Sequence, residues 1–257
     1  MLKSKEEIVN DWLPRYTGSQ INEFGKYIIL VNFQEYVDRF AAKFGVEVKG
    51  LNRTMPNATA EGITIIKFGM GSANAATVMD LLSAVSPSAC LFLGKCGGLK
   101  SISNLGDMIL PIAAIRGEGA SNDYFPPEVP ALPAFNLQKA VSTTMRNFEL
   151  DYWTGTIYTT NRRVWEHDET FKQYLKSIRC IGIDMETATI FSVGFFNKIP
   201  SGALLLISDQ PMTPEGVKTS ASDKMVSEEF TQRHLEVGIA ALRELINNGI
   251  TVKHLKF

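Results

Sequence analysis

The segment Ile181-Gly182-Ile183-Asp184-Met185-Glu186-Thr187-Ala188-Thr189-Ile190-Phe191 decides how this chain is read. An apolar strand, Arg179 to Ile183, runs into two acids, and a helix of small residues is expected to begin at Met185. Acids at the carboxyl end of a buried strand lie where open α/β sheets bind their ligands. The pattern recurs in Gly202-Ala203-Leu204-Leu205-Leu206-Ile207-Ser208-Asp209. Two such strand ends can aim Glu186 and Asp209 at one substrate. That pairing suits glycosidic-bond chemistry, where one group holds the sugar and another protonates what leaves. Taken singly, each acid has a plainer reading: Glu186 charges a helix N-terminus and Asp209 ends a strand.

Outward from these acids, strands and helices alternate. Ser4-Lys5-Glu6-Glu7 is a capping box opening a helix that should stop before Pro14. Lys26 to Val31 reads as a strand, and Gln34 to Phe44 has helical spacing in Tyr36, Val37, Phe40, Ala41 and Phe44. Gly62 to Phe68 is the next strand, followed by an Ala-rich helix from Ala73 to Ala84; Ala89 to Leu93 is a buried strand. Met108 to Arg116 is a long strand with no helix before it, so some antiparallel pairing is expected. After a proline-rich loop over 117–133 come a helix from Asn136 to Asn147, a strand from Tyr152 to Thr160 and a helix near Glu166 to Leu175. A loop from Pro211 to Ser220 leads to a long helix, Asp223 to Asn247. The alternation argues α/β with a mixed, mainly parallel sheet. Phe191, Phe195 and Phe196, at helical spacing, are expected in the core.

The bulk numbers set limits. A chain of 257 residues, 45% of them hydrophobic, can bury one large core, and no linker or repeat divides it, so a single domain over 1–257 is expected. A net charge of −1 makes no bulk case for binding nucleic acid or membrane. The three cysteines (Cys90, Cys96, Cys180) form no CxxC pair, which fits a reducing compartment. The three histidines (His167, His234, His254) are dispersed, so no metal is expected. Met1 to Pro14 has no apolar core of a signal segment, and nothing later approaches a membrane span. The expected setting is cytoplasmic.

Several strand ends carry polar groups. Gly69-Met70-Gly71-Ser72-Ala73-Asn74 joins a strand to a helix, but Asn74 replaces the third glycine of a dinucleotide fingerprint and the next strand ends without an acid. What survives is a backbone able to approach a ligand at a helix start. Gly94-Lys95-Cys96-Gly97-Gly98 reads as a flexible cradle with one positive charge, suited to phosphate or sugar oxygens. Arg116 follows another strand, and Thr159-Thr160-Asn161-Arg162-Arg163-Val164-Trp165 groups two arginines with an aromatic that can stack on a base. A solvated arginine pair beside a core tryptophan is an equal reading of the same residues.

Together these motifs resemble the purine nucleoside phosphorylase and uridine phosphorylase superfamily. Ile183 to Ala188 is similar to its xEMExA signature, Ile207-Ser208-Asp209 to its SD strand end, Gly69-Met70-Gly71 to its ribose loop, and Gly94 to Gly98 to its G-[ST]-x-G-[GA] loop. Tyr158-Thr159-Thr160-Asn161, Asp184 to Thr189 and Leu206 to Pro211 resemble the AMP nucleosidases within it. The resemblance implies a three-layer αβα fold with a mixed central sheet and a purine-releasing activity that needs no cofactor. It implies that Glu186 binds the ribose 2′- and 3′-hydroxyls, Met185 packs on the sugar, Gly71 belongs to the ribose loop, and Asp209 protonates purine N7 with a pKa raised by burial. It also implies a homo-oligomer, a hexamer or trimer of dimers.

Departures from the pattern bear on the nucleophile. No G-D-x-x-R loop follows Ile28 to Val31, which runs instead into Asn32-Phe33-Gln34; Phe92 stands at the place of a phosphate-binding arginine, and Lys95 replaces a hydroxyl residue. Water is therefore the expected nucleophile and AMP the expected substrate, with Lys95, Arg116, Arg162 and Arg163 available to a 5′-phosphate. Two rivals remain: a phosphate-dependent nucleoside phosphorylase, and a nucleotide-binding protein without turnover.

Overall fold

The computed structural model describes residues 2–213 and 215–248, so His254 and the end of the expected 1–257 domain lie outside the described residues. Its elements run α1 (Lys5–Thr17), β1 (Tyr27–Val31), α2 (Gln34–Phe44), β2 (Asn57–Ala60), β3 (Ile63–Lys67), α3 (Ser72–Leu81), β4 (Ala89–Gly98) and β5 (Met108–Gly117). Then come α4 (Phe135–Asn147), β6 (Trp153–Thr160), α5 (Glu169–Ser177), β7 (Gly182–Asp184), α6 (Thr187–Phe196), β8 (Ser201–Asp209) and α7 (Ser220–Asn248).

The strands form a mixed sheet of order β2-β3-β1-β4-β7-β6-β5-β8 with an additional β4–β8 pairing. β1 lies parallel between β3 and β4, and β4 runs parallel to β8 from Cys90↔Ser201 onward. Because β4 also pairs with β7, and β5 with both β6 and β8, five of the eight strands close into a ring through β4, β7, β6, β5 and β8. The antiparallel pairing expected of β5 is with β8, at Met108↔Leu206 and Ile109↔Leu205.

Two apolar layers cover the sheet, as its period-two alternation requires. In β4, Cys90 and Phe92 face the layer of α1, α3 and α6, while Leu91 and Leu93 face that of α2, α4 and α7. The architecture is therefore three-layer αβα. Among the described residues no helix is long and apolar enough to cross a membrane.

Several local expectations are corrected. α1 continues through Pro14 to a left-handed Gly18, because buried Leu13 and Thr17 anchor its last turn and proline removes only one backbone bond. Gly94 to Gly98 is not a flexible loop but the end of β4, held on both sides by neighbouring strands. β7 begins at Gly182 rather than Arg179, which adopts a left-handed φ of 58° at the end of α5, and α6 begins at Thr187 rather than Met185. β2, an antiparallel edge strand, has too short an apolar signal to be read. Phe191 is in the core, but Phe195 and Phe196 are 45% and 46% exposed and meet Phe125 instead.

One polar tie crosses the α2/α4/α7 layer. His234 of α7 is fully buried between the Leu204 carbonyl of β8 (2.9 Å from Nε2) and the Tyr36 hydroxyl of α2 (2.9 Å from Nδ1). Burial lowers its pKa from 6.5 to about 4. The unfolded chain therefore binds a proton that the native one refuses, and stability falls as pH drops from about 6.5 toward 4. His234→Gln should flatten that acid limb by about 3 kcal/mol. Urea denaturation of both proteins at pH 7 and pH 4.5 measures this; an unchanged pH dependence would refute it.

Candidate active site

The carboxyl ends of β1, β4, β6, β7 and β8 converge on an open cavity. Its walls include Asn32, Phe33, Lys95, Met185, Glu186 and Asp209, with Arg162, Arg163, Trp165 and Lys218 around them.

Glu186 is positioned by two backbones and its neighbour. Its Oε1 accepts a 2.6 Å hydrogen bond from Gly71 N–H, and Oε2 accepts a 3.3 Å bond from Met185 N–H. Gly71 has φ +91°, a conformation that a side chain would strain, so glycine is what lets this amide point at the carboxylate. Ser72 Oγ donates to the Met185 carbonyl at 2.6 Å, and Asn32 Nδ2 to the Gly69 carbonyl at 2.7 Å, locking the β1 and β3 ends to the start of α6.

Asp184, buried beneath, accepts four hydrogen bonds: Thr159 Oγ1 at 2.7 Å, Glu186 N–H at 3.2 Å, Thr187 N–H at 2.7 Å and Thr187 Oγ1 at 2.5 Å. It caps α6 and so sets where Glu186 stands. Burial raises the pKa of both acids; the four donors oppose this at Asp184, whereas the Asp184 charge adds to the rise at Glu186.

Asp209 ends β8 beside Gly97 of β4, where a bulge between Cys96 and Gly97 shifts the register. Ser208 Oγ donates to Asp209 Oδ1 at 2.7 Å. Oδ2 faces the bare backbone of Gly97, where a Cβ would come within 3.2 Å of it. Burial raises the Asp209 pKa, as expected; Ser208, Lys218 and Arg163 partly offset the rise and Glu166 adds to it.

The basic candidates separate. Arg116 does not reach the cavity. Its guanidinium is committed to the loop after β5, donating to Ser121 Oγ, Asn122 Oδ1 and the carbonyls of Phe125, Pro126 and Val129 at 2.6–3.0 Å. All five donors of an arginine are thereby used, so the expectation that Arg116 binds substrate is corrected. Arg162 and Arg163 line the cavity but pair with Asp168 (2.9 Å) and Glu166 (3.3 Å). Trp165 also lines it, 4% exposed and edge-on to Phe171.

Lys95 extends from the side of β4 that faces α7, and its Nζ donates to Ser227 Oγ at 2.7 Å. Phe92 is fully buried against Phe68 and offers the cavity nothing. Glu35 pairs with Arg39 at 2.6 Å on α2. Sequence reasoning passed over Lys218, Phe33, Asn32 and Glu166. Only Asn32 and Phe33 carried a signal, standing directly after the β1 strand. Among the described residues no group of His, Cys, Asp and Glu is arranged to hold a metal.

Comparison with known proteins adds kinship to this geometry. The sequence profile of the phosphorylase superfamily matches residues 26–247. A crystal structure of AMP nucleosidase from Bacteroides thetaiotaomicron VPI-5482 is 57% identical, with a TM-score of 0.86, covering 96% of this chain and 100% of that one. AMP nucleosidase of Escherichia coli strain K12 is 27% identical across 92% of this chain, which spans only 58% of the length of that relative. Uridine phosphorylase from Vibrio fischeri ES114 shares the fold, with a TM-score of 0.77 at 23% identity over 87% of this chain and 93% of its own.

Because Asp184 is surrounded by donors, Asp184→Asn would turn an amide NH₂ toward N–H and O–H groups that need an acceptor. The expected loss is about 3 kcal/mol of stability, read by urea denaturation at pH 7. Stability equal to that of the parent chain would mean the Asp184 network is not needed to hold the start of α6.

Proposed function

This chain belongs to the phosphorylase superfamily, and on that premise we propose that it hydrolyses the N-glycosidic bond of AMP, releasing adenine and ribose 5-phosphate. The observation that carries the reading is the convergence of Glu186 and Asp209 with lysine and arginine side chains on one cavity. The 57% identity to a bacterial AMP nucleosidase supports the same substrate.

In this reading Glu186 accepts hydrogen bonds from the ribose 2′- and 3′-hydroxyls, with the Gly71 amide holding its other lone pairs. Met185 packs on the sugar and Trp165 closes the base end. Asp209 delivers its proton to purine N7 from Oδ2, since Oδ1 is occupied by Ser208. As the bond to C1′ breaks, the base leaves neutral and the sugar develops oxocarbenium character that water captures. The chemistry needs an acid and water and no cofactor. Phe92, turned into the core, supports water rather than inorganic phosphate as the nucleophile.

The proposed catalytic unit is the single domain that spans the matched residues. Self-association is part of the same proposal, supported by the exposed rings of Phe195 and Phe196, which pack on half-buried Phe125, and light scattering reads it directly.

Adenine release from AMP and adenosine, each with and without inorganic phosphate, tests the reaction. Release from AMP without phosphate is expected; release from adenosine that depends strictly on phosphate would place the chain among phosphorylases. Asp209→Asn should lower kcat by about 10²–10⁴-fold with a much smaller effect on AMP binding. The acid must be protonated, so kcat should fall as pH rises through a pKa above the ordinary aspartate range, and the variant should lack that limb. Glu186→Gln should erode the preference for AMP over 2′-deoxy-AMP; an unchanged preference would sink its sugar-binding role.

A further inference from the structure

The reading of AMP as substrate leaves open which cations meet the phosphate, and the charge pairing around the cavity discriminates among them. Arg116 is consumed by its own loop, and Arg162 and Arg163 each have a carboxylate partner of their own. Lys95 and Lys218 differ, because they share one. Asp223 Oδ1, in the first turn of α7, lies 3.6 Å from Lys95 Nζ and 2.8 Å from Lys218 Nζ. Two ammonium groups thus share one close carboxylate.

Both lysines are largely withdrawn from solvent, with side chains 5% and 18% exposed, yet both line the cavity. Their ammonium groups also flank one aromatic face, at 4.8 Å and 5.8 Å from the centre of the Phe33 ring. Desolvated cations held in this way attract an anion far more strongly than solvated ones.

Neither Asp223 nor Ser227 is among the cavity walls. They hold the lysines from outside that lining: Ser227 Oγ accepts a hydrogen bond from Lys95 Nζ, and Asp223 Oδ1 stands 3.6 Å from the same ammonium group as its ion-pair partner. Ser222 N–H donates to Thr219 Oγ1 at 3.1 Å, fixing the start of α7 that carries both residues.

We propose that Lys95 and Lys218 form the subsite for the 5′-phosphate of the nucleotide, and that Asp223 is the positioning residue that sets preference for nucleotide over nucleoside. This rests on the AMP reading above. Asp223 works through the lysines: it relieves their mutual repulsion and keeps Lys95 charged. Burial pulls the Lys95 pKa below its ordinary value and Asp223 opposes that fall. The charged or titratable groups facing Lys95 are Asp223 and neutral His234 of α7, Lys218 before it, and Glu35 of α2, which is itself paired with Arg39.

The test measures AMP and adenosine affinity by calorimetry in the Asp209→Asn background, where turnover is slow. Adding Asp223→Asn should lower the AMP-to-adenosine affinity ratio about tenfold, the scale of one charge-assisted hydrogen bond. It should also move the alkaline loss of AMP affinity to lower pH, which a merely structural defect would not do. Asp223→Glu should restore part of the ratio, and Ser227→Ala should lower it in the same direction should Asp223→Asn not fold. Lys218→Met should abolish most of the ratio.

An unchanged ratio in Asp223→Asn and Ser227→Ala, in a background that still prefers AMP, would overturn this inference and leave the AMP reading intact. No preference for AMP in the Asp209→Asn background itself would overturn both.

Discussion

The site depends on β4 having bare backbone at Gly97. At that point β4 has β8 on one side and β7 on the other, so Gly97 lies opposite both Asp209 and Ile183. A Cβ there would meet Pro211 Cγ at 3.1 Å, Asp209 Oδ2 at 3.2 Å and Ile183 Cγ2 at 3.2 Å. To admit that carbon, each of these neighbours would have to give by a few tenths of an ångström. The two strands that end in acids are thus drawn together across a third strand, and the closing of five strands into a ring follows from the same double pairing. Glu186, carried on the turn beyond β7, and Asp209, at the end of β8, reach one cavity for this reason.

Bringing carboxyl groups together in a buried place is electrostatically unfavourable, and the surroundings show how each is accommodated. Asp184 is saturated with donors and serves the backbone of α6. Glu186 has two amides and the neighbouring acid, so its affinity for a proton rises. Asp209 has one hydroxyl donor and positive groups at a distance, and burial dominates. Three acids at neighbouring strand ends therefore acquire different duties from their immediate partners. The positive side chains around the cavity divide in the same manner, with the arginines satisfied individually and the two lysines sharing Asp223. The proposed division of labour, acid at the base and cations at the phosphate, follows from that asymmetry.

Much of the fold was legible because burial periodicity is local. The helix Gln34–Phe44 was read to the residue from Tyr36, Val37, Phe40 and Ala41, which all face the core. The acid-tipped strands were legible because strands buried on both faces leave uninterrupted apolar runs, so a polar residue at their end stands out. Departures arose where a partner outweighed local chemistry. Gly94 to Gly98 has the composition of a loop and becomes strand because β7 and β8 supply hydrogen bonds on both edges. Phe195 and Phe196 have core chemistry but fall on the face of α6 beyond the sheet, against Phe125.

By itself, the sequence determined the order of elements, the identity of the acids at the strand ends, the glycines that let backbone approach them, and the resemblance that implies nucleotide cleavage. Each of these is carried by a short window of residues. Only the tertiary structure decided which charges meet. Arg116 looked equivalent to Lys95 until the loop after β5 folded back and took every donor it has. Lys95 acquired its partner Ser227 from 132 residues further along the chain, and Lys218 joined it through Asp223. Charge pairing acts through space at a few ångströms, and no spacing along the chain records which distant turn of a helix will come to rest beside a given side chain.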